Sequence, residues 1–135
     1  MTEDERADSL EKASIDASVE GLKGLLILNG GACLSLLAFL SAVLASDNMS
    51  PRKAKFIAGA TDALIYFAIA AGLSVVTCVF AYLANQSYSS HLRWKAQYPN
   101  HWRYGNYYTR GGLLSTGLSL GLFFFGVYSI WVHIS

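Results

Sequence analysis

The sequence predicts an all-α membrane protein. Its three transmembrane helices run up-down-up, and helices 1 and 2 extend on the cytoplasmic side. Apolar types make up 53% of the 135 residues and charged types 14%, whereas a soluble domain has about 25% charged residues. Residues 24–46, 63–90 and 111–135 contain no Asp, Glu, Lys or Arg, and a bilayer span takes roughly 20 residues. This argues against a soluble enzyme, a secreted disulfide scaffold and a nucleic-acid-binding module.

Prolines and charges divide the chain into six segments. Residues 1–21 are expected to form an acidic amphipathic helical extension that continues into the first span, 22–45, because no proline precedes Pro51. Residues 46–55 form a short basic turn, in which Ser50 and Pro51 suit a helix start, and residues 56–84 form the second span. Since Pro99 disfavours helix at Tyr98, we expect an aromatic and basic interfacial loop with a helical start at 85–110, non-helical at 99–106. The third span is 111–135, with its helix beginning between 107 and 113.

The basic residues predict the orientation. An odd number of spans places the N-terminal tail and the 85–110 loop on one side, with seven Lys or Arg against three in the short turn. By the positive-inside rule, the N-terminus is cytoplasmic and the C-terminus periplasmic. The dense cluster of Arg52, Lys53 and Lys55 argues for the reverse.

The two segments on the cytoplasmic side carry opposite charge. The tail up to Lys23 has seven acidic and three basic residues, whereas the 85–110 loop has four basic residues and no acidic one. One hypothesis is that the acidic start of helix 1 packs on the basic extension of helix 2. The alternative is two solvated segments whose charges are screened.

Small residues within the spans predict close helix packing. Helix 1 carries a seam of them, and helices 2 and 3 carry small-x-x-x-small pairs. The predicted packing residues are Gly31, Ser35, Ala38, Ala42, Gly59, Ala63, Gly117 and Gly121. Because three helices cannot hide all these faces, we expect a homo-oligomer or a larger membrane complex. The alternative is packing within one chain.

Four polar residues are expected inside the membrane: Asp62, Asn29, Tyr66 and Tyr128. An ionisable group in a span suggests function by default. Asp62 could be a carboxylate near the outer interface, a contact that accepts hydrogen bonds from Tyr128, Ser129 and Ser41, or part of a conduction path. Asn29 is interpreted as an interhelical hydrogen-bond clamp, with contact to a ligand as the alternative.

Aromatic and basic residues are interleaved between the second and third spans. The predicted lipid-interface residues are Arg93, Trp94, Lys95, Trp102, Arg103, Tyr107, Tyr108 and Arg110. Such residues anchor a protein to anionic headgroups. The same pattern suits single-stranded nucleic acid, but beside a membrane we expect lipid, with a partner-docking surface as the alternative. The three histidines lack metal-ligand spacing, so neither a metal nor a cofactor is expected.

The stretch KGLLILNGGA at residues 23–32, followed by LLAFL at 36–40, carries a family resemblance. It resembles the first span of small multi-span proteins of Gram-negative bacteria whose activity is not established. A looser similarity continues at AYL, residues 81–83, and at Gln86. The resemblance covers about a third of the chain; it implies a bacterial inner-membrane location and no activity.

The sequence contains no nucleophile–base pair, phosphate-binding glycine loop or acid pair, so no enzyme is expected. The predicted function is a non-catalytic scaffold or accessory subunit of a membrane assembly. One alternative is a small pore-forming or membrane-disrupting effector, as in phage or defence systems, or the immunity protein against one. Another is an ion or small-solute carrier that uses Asp62.

Overall fold

The computed structural model describes residues 3–46, 50–93, 96–97 and 99–135. Three α-helices follow one another: α1 (Glu3–Leu44), α2 (Pro51–Arg93) and α3 (His101–Ile134). At 1.5 Å per residue, even α3, with 34 residues, is longer than the roughly 30 Å hydrocarbon core of a bilayer. The prediction of an all-helical chain with three helices long and apolar enough to cross a membrane is confirmed.

The expectation of a non-helical stretch at 99–106 is wrong from His101 onward, because α3 begins there, six residues before the predicted range. Tertiary contacts explain the early start. The ring of Tyr88 on α2 lies against Gly105, and its hydroxyl donates a hydrogen bond to Asn106 Oδ1 at 2.8 Å. These contacts stabilise a helical segment whose glycine and asparagine residues give it a low intrinsic helix propensity. The turn residues 47–49 lie outside the described part of the chain.

The most extensive packing joins α2 and α3. Buried positions on α2 recur at alternating steps of three and four residues, as in a coiled coil; they are Ala60, Ala63, Phe67, Ala70, Ser74 and Thr77. Large side chains of one helix lie against glycines of the other: His133 on Gly59, Phe67 on Gly126 and Tyr88 on Gly105. These pairs occur in opposite order along the two helices.

Helix α1 packs mainly on α2 and barely touches α3. The rings of Phe39 and Phe56 meet edge to face at 5.3 Å between centroids, and Leu40 is buried. Only 11% of the most apolar window of α1 is buried inside the chain. A bilayer or another protein must therefore cover most of this helix.

Candidate functional site

A cluster of buried polar side chains joins all three helices. Asn29 of α1, Ser74 of α2 and Ser119 of α3 each have 0% exposed surface. The Ser119 hydroxyl donates to the Ala70 carbonyl at 2.7 Å and lies 3.0 Å from the Ser74 hydroxyl. The Asn29 amide donates to Ser119 Oγ at 3.3 Å. These bonds link α1 to α3 and α3 to α2.

One atom of the cluster has no hydrogen-bond partner among the residues that the structure describes. Asn29 Nδ2 makes two hydrogen bonds, to Ser119 Oγ and to the Leu25 carbonyl of its own helix at 2.9 Å. Asn29 Oδ1 is buried and accepts none from the described residues. A buried unsatisfied acceptor costs about 1–3 kcal/mol. The Asn29 amide therefore joins α1 to α3 through its nitrogen, while its oxygen accepts no hydrogen bond from the described residues.

The cluster contains an amide and hydroxyls, and no carboxylate or imidazole that could activate a hydroxyl as a nucleophile. Its hydroxyl protons are held by backbone carbonyls or neighbouring hydroxyls. Among the described residues, no group of three His, Cys, Asp or Glu is placed to hold a metal ion. The arrangement suits interhelical hydrogen bonding.

A groove of about 620 Å³ lies between α1 and α3, with residues of α2 in its lining. We call it the α1–α3 groove; its lining includes Leu22 and Leu25 of α1, Thr77 of α2, and Thr109, Leu113 and Thr116 of α3. Along α3 it extends from Tyr108 to Leu120, next to Ser119 of the polar cluster. Residues 15–22 of α1 contribute to one of its walls.

A smaller cleft of about 210 Å³ lies on the exposed surface at the start of α3. We call it the basic cleft; it is lined by Arg103, Asn106, Tyr107 and Arg110. Neither guanidinium forms an ion pair or hydrogen bond with another residue that the structure describes. The Asn106 side chain is held through its oxygen by Tyr88, which leaves the amide nitrogen as a donor.

The predicted lipid-interface residues occupy different surroundings. Trp102 is half exposed with its ring 4.8 Å from that of Tyr88, and Tyr108 stacks on Phe80 with centroids 6.4 Å apart. Arg103, Tyr107 and Arg110 are exposed. Trp94, Lys95 and the side chain of Arg93 lie outside the described residues.

The polar residues proposed to surround Asp62 do not meet there. Asp62 is exposed, and no hydrogen bond or ion pair joins it to another described residue. Tyr128 is 57% exposed beside Trp131, and the Ser41 hydroxyl donates to the Leu37 carbonyl. Tyr66 is half-buried, one turn beyond Asp62. Asp62 lines neither the α1–α3 groove nor the polar cluster.

The predicted packing residues fall into two groups. Gly59 and Ala63 are buried, with Gly59 against His133 of α3. The others are exposed or half-buried; they are Gly31, Ser35, Ala38, Ala42, Gly117 and Gly121. A Cβ added to Gly31, Gly117 or Gly121 would meet nothing within 4 Å. At these three glycines, no described residue of a neighbouring helix lies in close contact.

Sequence reasoning missed glycines of α3 that pack on α2, among them Gly105, Gly112 and Gly126, and it also missed Ser74. A signal for the glycines was present in the sequence. Residues 105, 112, 119, 126 and 133 recur every seven positions, and the first four are Gly or Ser. Such a repeat marks the seam of a left-handed helix pair, whereas Gly117-x-x-x-Gly121 lies on another face.

No protein-family model matches the chain, and no curated protein and no solved structure shows significant similarity to it.

Proposed function

We propose that the chain is a non-catalytic, multi-pass protein of the bacterial inner membrane that assembles with copies of itself as a scaffold or accessory subunit. The observation that carries the proposal is an uncovered face of α1, which we call the outer face. Its members are Gly24, Gly31, Ser35, Ala38 and Ala42, all exposed. At 100° per residue, this face points away from the buried Asn29 and Leu40.

Small residues on a lipid-facing surface support helix association. In lipid, apolar burial does not drive helices together, and close van der Waals contact over small side chains does. A Cβ on Gly24 or Gly31 would meet nothing within 4 Å, so another helix has room to approach the backbone there. Two outer faces can meet in a symmetric contact, in which each copy presents the same surface.

The proposed topology is up-down-up, with the N-terminus in the cytoplasm and the C-terminus in the periplasm. Two arguments support it: the distribution of Lys and Arg and the reversed order of contacts between α2 and α3. Alkaline phosphatase is active only in the periplasm, so a fusion after Ser135 should be active and a fusion at the N-terminus inactive. The opposite result would contradict this orientation.

Native mass spectrometry of the full chain in mild detergent tests self-association. We expect a defined assembly of more than one copy. Ala38→Leu should reduce the copy number, because a larger side chain separates two outer faces. Ala58→Leu makes the same change at an exposed residue of α2 and should preserve the assembly.

A monomer in both the parent protein and the Ala58→Leu control would contradict self-association. Dye entry into cells that express the chain, abolished by Ala38→Leu, would contradict a scaffold and support the pore-forming alternative. Intact dye exclusion together with a stable assembly is the result that the scaffold proposal requires.

A further inference from the structure

We propose that the α1–α3 groove holds an acyl chain of an anionic phospholipid and that the basic cleft binds the phosphate of the same molecule. This inference goes beyond the scaffold proposal. It requires that the chain lies in a membrane, and it does not require self-association. Four features of the structure support it: the chemistry of the groove, its length, the donors of the cleft and the adjacency of the two.

The groove presents mainly hydrocarbon to an occupant; apart from Ser18, Asn85 and Tyr108, its polar lining residues are threonines. Its three threonines already donate to carbonyls of their own helices: Thr77 to Leu73 at 2.9 Å, Thr109 to Gly105 at 3.0 Å and Thr116 to Gly112 at 3.0 Å. Their hydroxyl protons are therefore not free for a polar solute, and leucines supply much of the remaining lining. This surface suits an acyl chain better than an ion or a sugar.

The groove has the length of one bilayer leaflet. From Tyr108 to Leu120 along α3 is 12 residues, or about 18 Å. Half of a hydrocarbon core is about 15 Å. The groove ends near the Asn29–Ser119 bond, where α1 meets α3. It is therefore too short for another transmembrane helix, which would need a groove along the whole span. Its volume of about 620 Å³ lies within the range of small-molecule sites.

The basic cleft supplies the donors that a phosphate needs. Arg103 and Arg110 are seven residues apart, on the same face of α3. Arginine forks bind phosphate oxygens with paired hydrogen bonds. Asn106 and Tyr107 complete the lining of the cleft, and an amide nitrogen and a phenol hydroxyl are further hydrogen-bond donors. An anionic headgroup complements this charge, whereas a zwitterionic headgroup adds a positive charge next to the arginines.

The cleft and the groove are neighbours on α3. Asn106 and Arg110 of the cleft stand one turn from Thr109 and Leu113 of the groove, and residues three apart on a helix lie side by side. The ten residues from Arg110 to Leu120 cover about 15 Å. A lipid whose phosphate is bound at Arg110 therefore has the end of its acyl chain near Leu120, at the far end of the groove.

Native mass spectrometry of the detergent-purified full chain tests the proposal. The protein is titrated with dioleoyl phosphatidylglycerol, with dioleoyl phosphatidylcholine and with glycerol 3-phosphate. We expect phosphatidylglycerol to bind about tenfold more tightly than phosphatidylcholine, in line with the attraction of basic residues to anionic lipid, and glycerol 3-phosphate not to compete.

Variants separate the two parts of the site. The double variant Arg103→Gln, Arg110→Gln should remove the preference for phosphatidylglycerol, whereas Arg52→Gln at the start of α2 should keep it. Thr116→Trp fills the groove and should weaken binding of both lipids. Leu114→Trp introduces the same side chain at a residue that is 69% exposed and outside the groove, and it should have no effect.

Equal affinity for the two lipids, or an unchanged preference in the double arginine variant, would overturn the headgroup assignment. These arginines are on the surface, so loss of folding does not confuse this result. Competition by glycerol 3-phosphate would show a free phosphate site and overturn the acyl-chain assignment, as would unchanged lipid binding by Thr116→Trp. The same spectra report the number of protein copies, so failure of self-association is recognised separately.

Discussion

The amide of Asn29 donates a hydrogen bond to the Ser119 hydroxyl at 3.3 Å, and both side chains are fully buried. This bond connects α1 to α3, two helices that otherwise barely touch. The Ser119 hydroxyl in turn donates to the Ala70 carbonyl of α2. A single hydroxyl on α3 thus bonds to both other helices.

Replacing that hydroxyl should weaken the whole bundle. We expect Ser119→Ala to lower the free energy of unfolding by about 1 kcal/mol, the typical size of an interhelical hydrogen bond in a membrane. Unfolding by sodium dodecyl sulfate, followed by circular dichroism, measures it. Ser115→Ala is the control, because Ser115 is also buried on α3 but forms no hydrogen bond with the described residues. Equal losses for the two variants would contradict the role of the Ser119 hydroxyl.

Replacing the amide of Asn29 should lower the free energy of unfolding by less than its complete burial suggests. Asn29→Leu removes two hydrogen bonds, but it also removes the unpaired Oδ1 acceptor. Because an unsatisfied buried group carries a penalty of about 1–3 kcal/mol, we expect a net change in unfolding free energy within about 0.5 kcal/mol. The same detergent titration measures it. A loss above about 2 kcal/mol would mean that the acceptor is satisfied in the membrane.

Two glycines of α3 should respond oppositely to the same substitution. A Cβ on Gly126 would lie 2.6 Å from Cε1 of Phe67, which is only 3% exposed and cannot move away. Gly126→Ala should therefore destabilise the protein by about 1–3 kcal/mol. Gly117→Ala meets nothing within 4 Å and should be neutral or stabilising by up to about 1 kcal/mol.

The midpoint of thermal unfolding in detergent distinguishes these two variants. Adding Phe67→Leu to Gly126→Ala should recover part of the loss, because the shorter side chain vacates the space that the new methyl group needs. A Gly117→Ala protein that is as unstable as Gly126→Ala would contradict the assignment of Gly126 to the α2–α3 seam.

The start of α3 should depend on Tyr88. Its hydroxyl bonds to Asn106 and lies 3.2 Å from the Thr109 hydroxyl. We expect Tyr88→Phe to speed amide hydrogen exchange over residues 101–110 by about tenfold, the effect of losing about 1.4 kcal/mol of local stability. Tyr82→Phe removes an exposed hydroxyl and should leave this exchange unchanged. Equal rates in both variants would show that ring packing alone holds the segment.

The sequence by itself determined that the chain is helical with three membrane-length spans. Charge-free stretches of such length form helices in lipid because only helices and closed barrels satisfy every backbone group there. The helices over residues 24–46, 63–90 and 111–135 could therefore be predicted without any tertiary contact. Helix propensity did not predict the start of α3. The helix is stabilised there by the ring of Tyr88, which packs on Gly105, 17 residues further along the chain.

Only the tertiary structure decided which faces of the helices pack. In a soluble protein, apolar periodicity marks the buried face, but here the lipid-facing side is just as apolar as the protein-facing side. Apolar periodicity therefore does not separate Gly117 and Gly121, which meet no neighbour, from Gly105 and Gly126, which receive aromatic rings. On α3, the signal in the sequence that distinguishes them is the seven-residue spacing of Gly and Ser. The sequence also predicted that Asn29 lies inside the membrane, but it did not identify the residue to which Asn29 bonds. The identity of Ser119 as that partner depends on the rotation of α1 and α3 about their own axes, and composition and spacing do not determine that rotation.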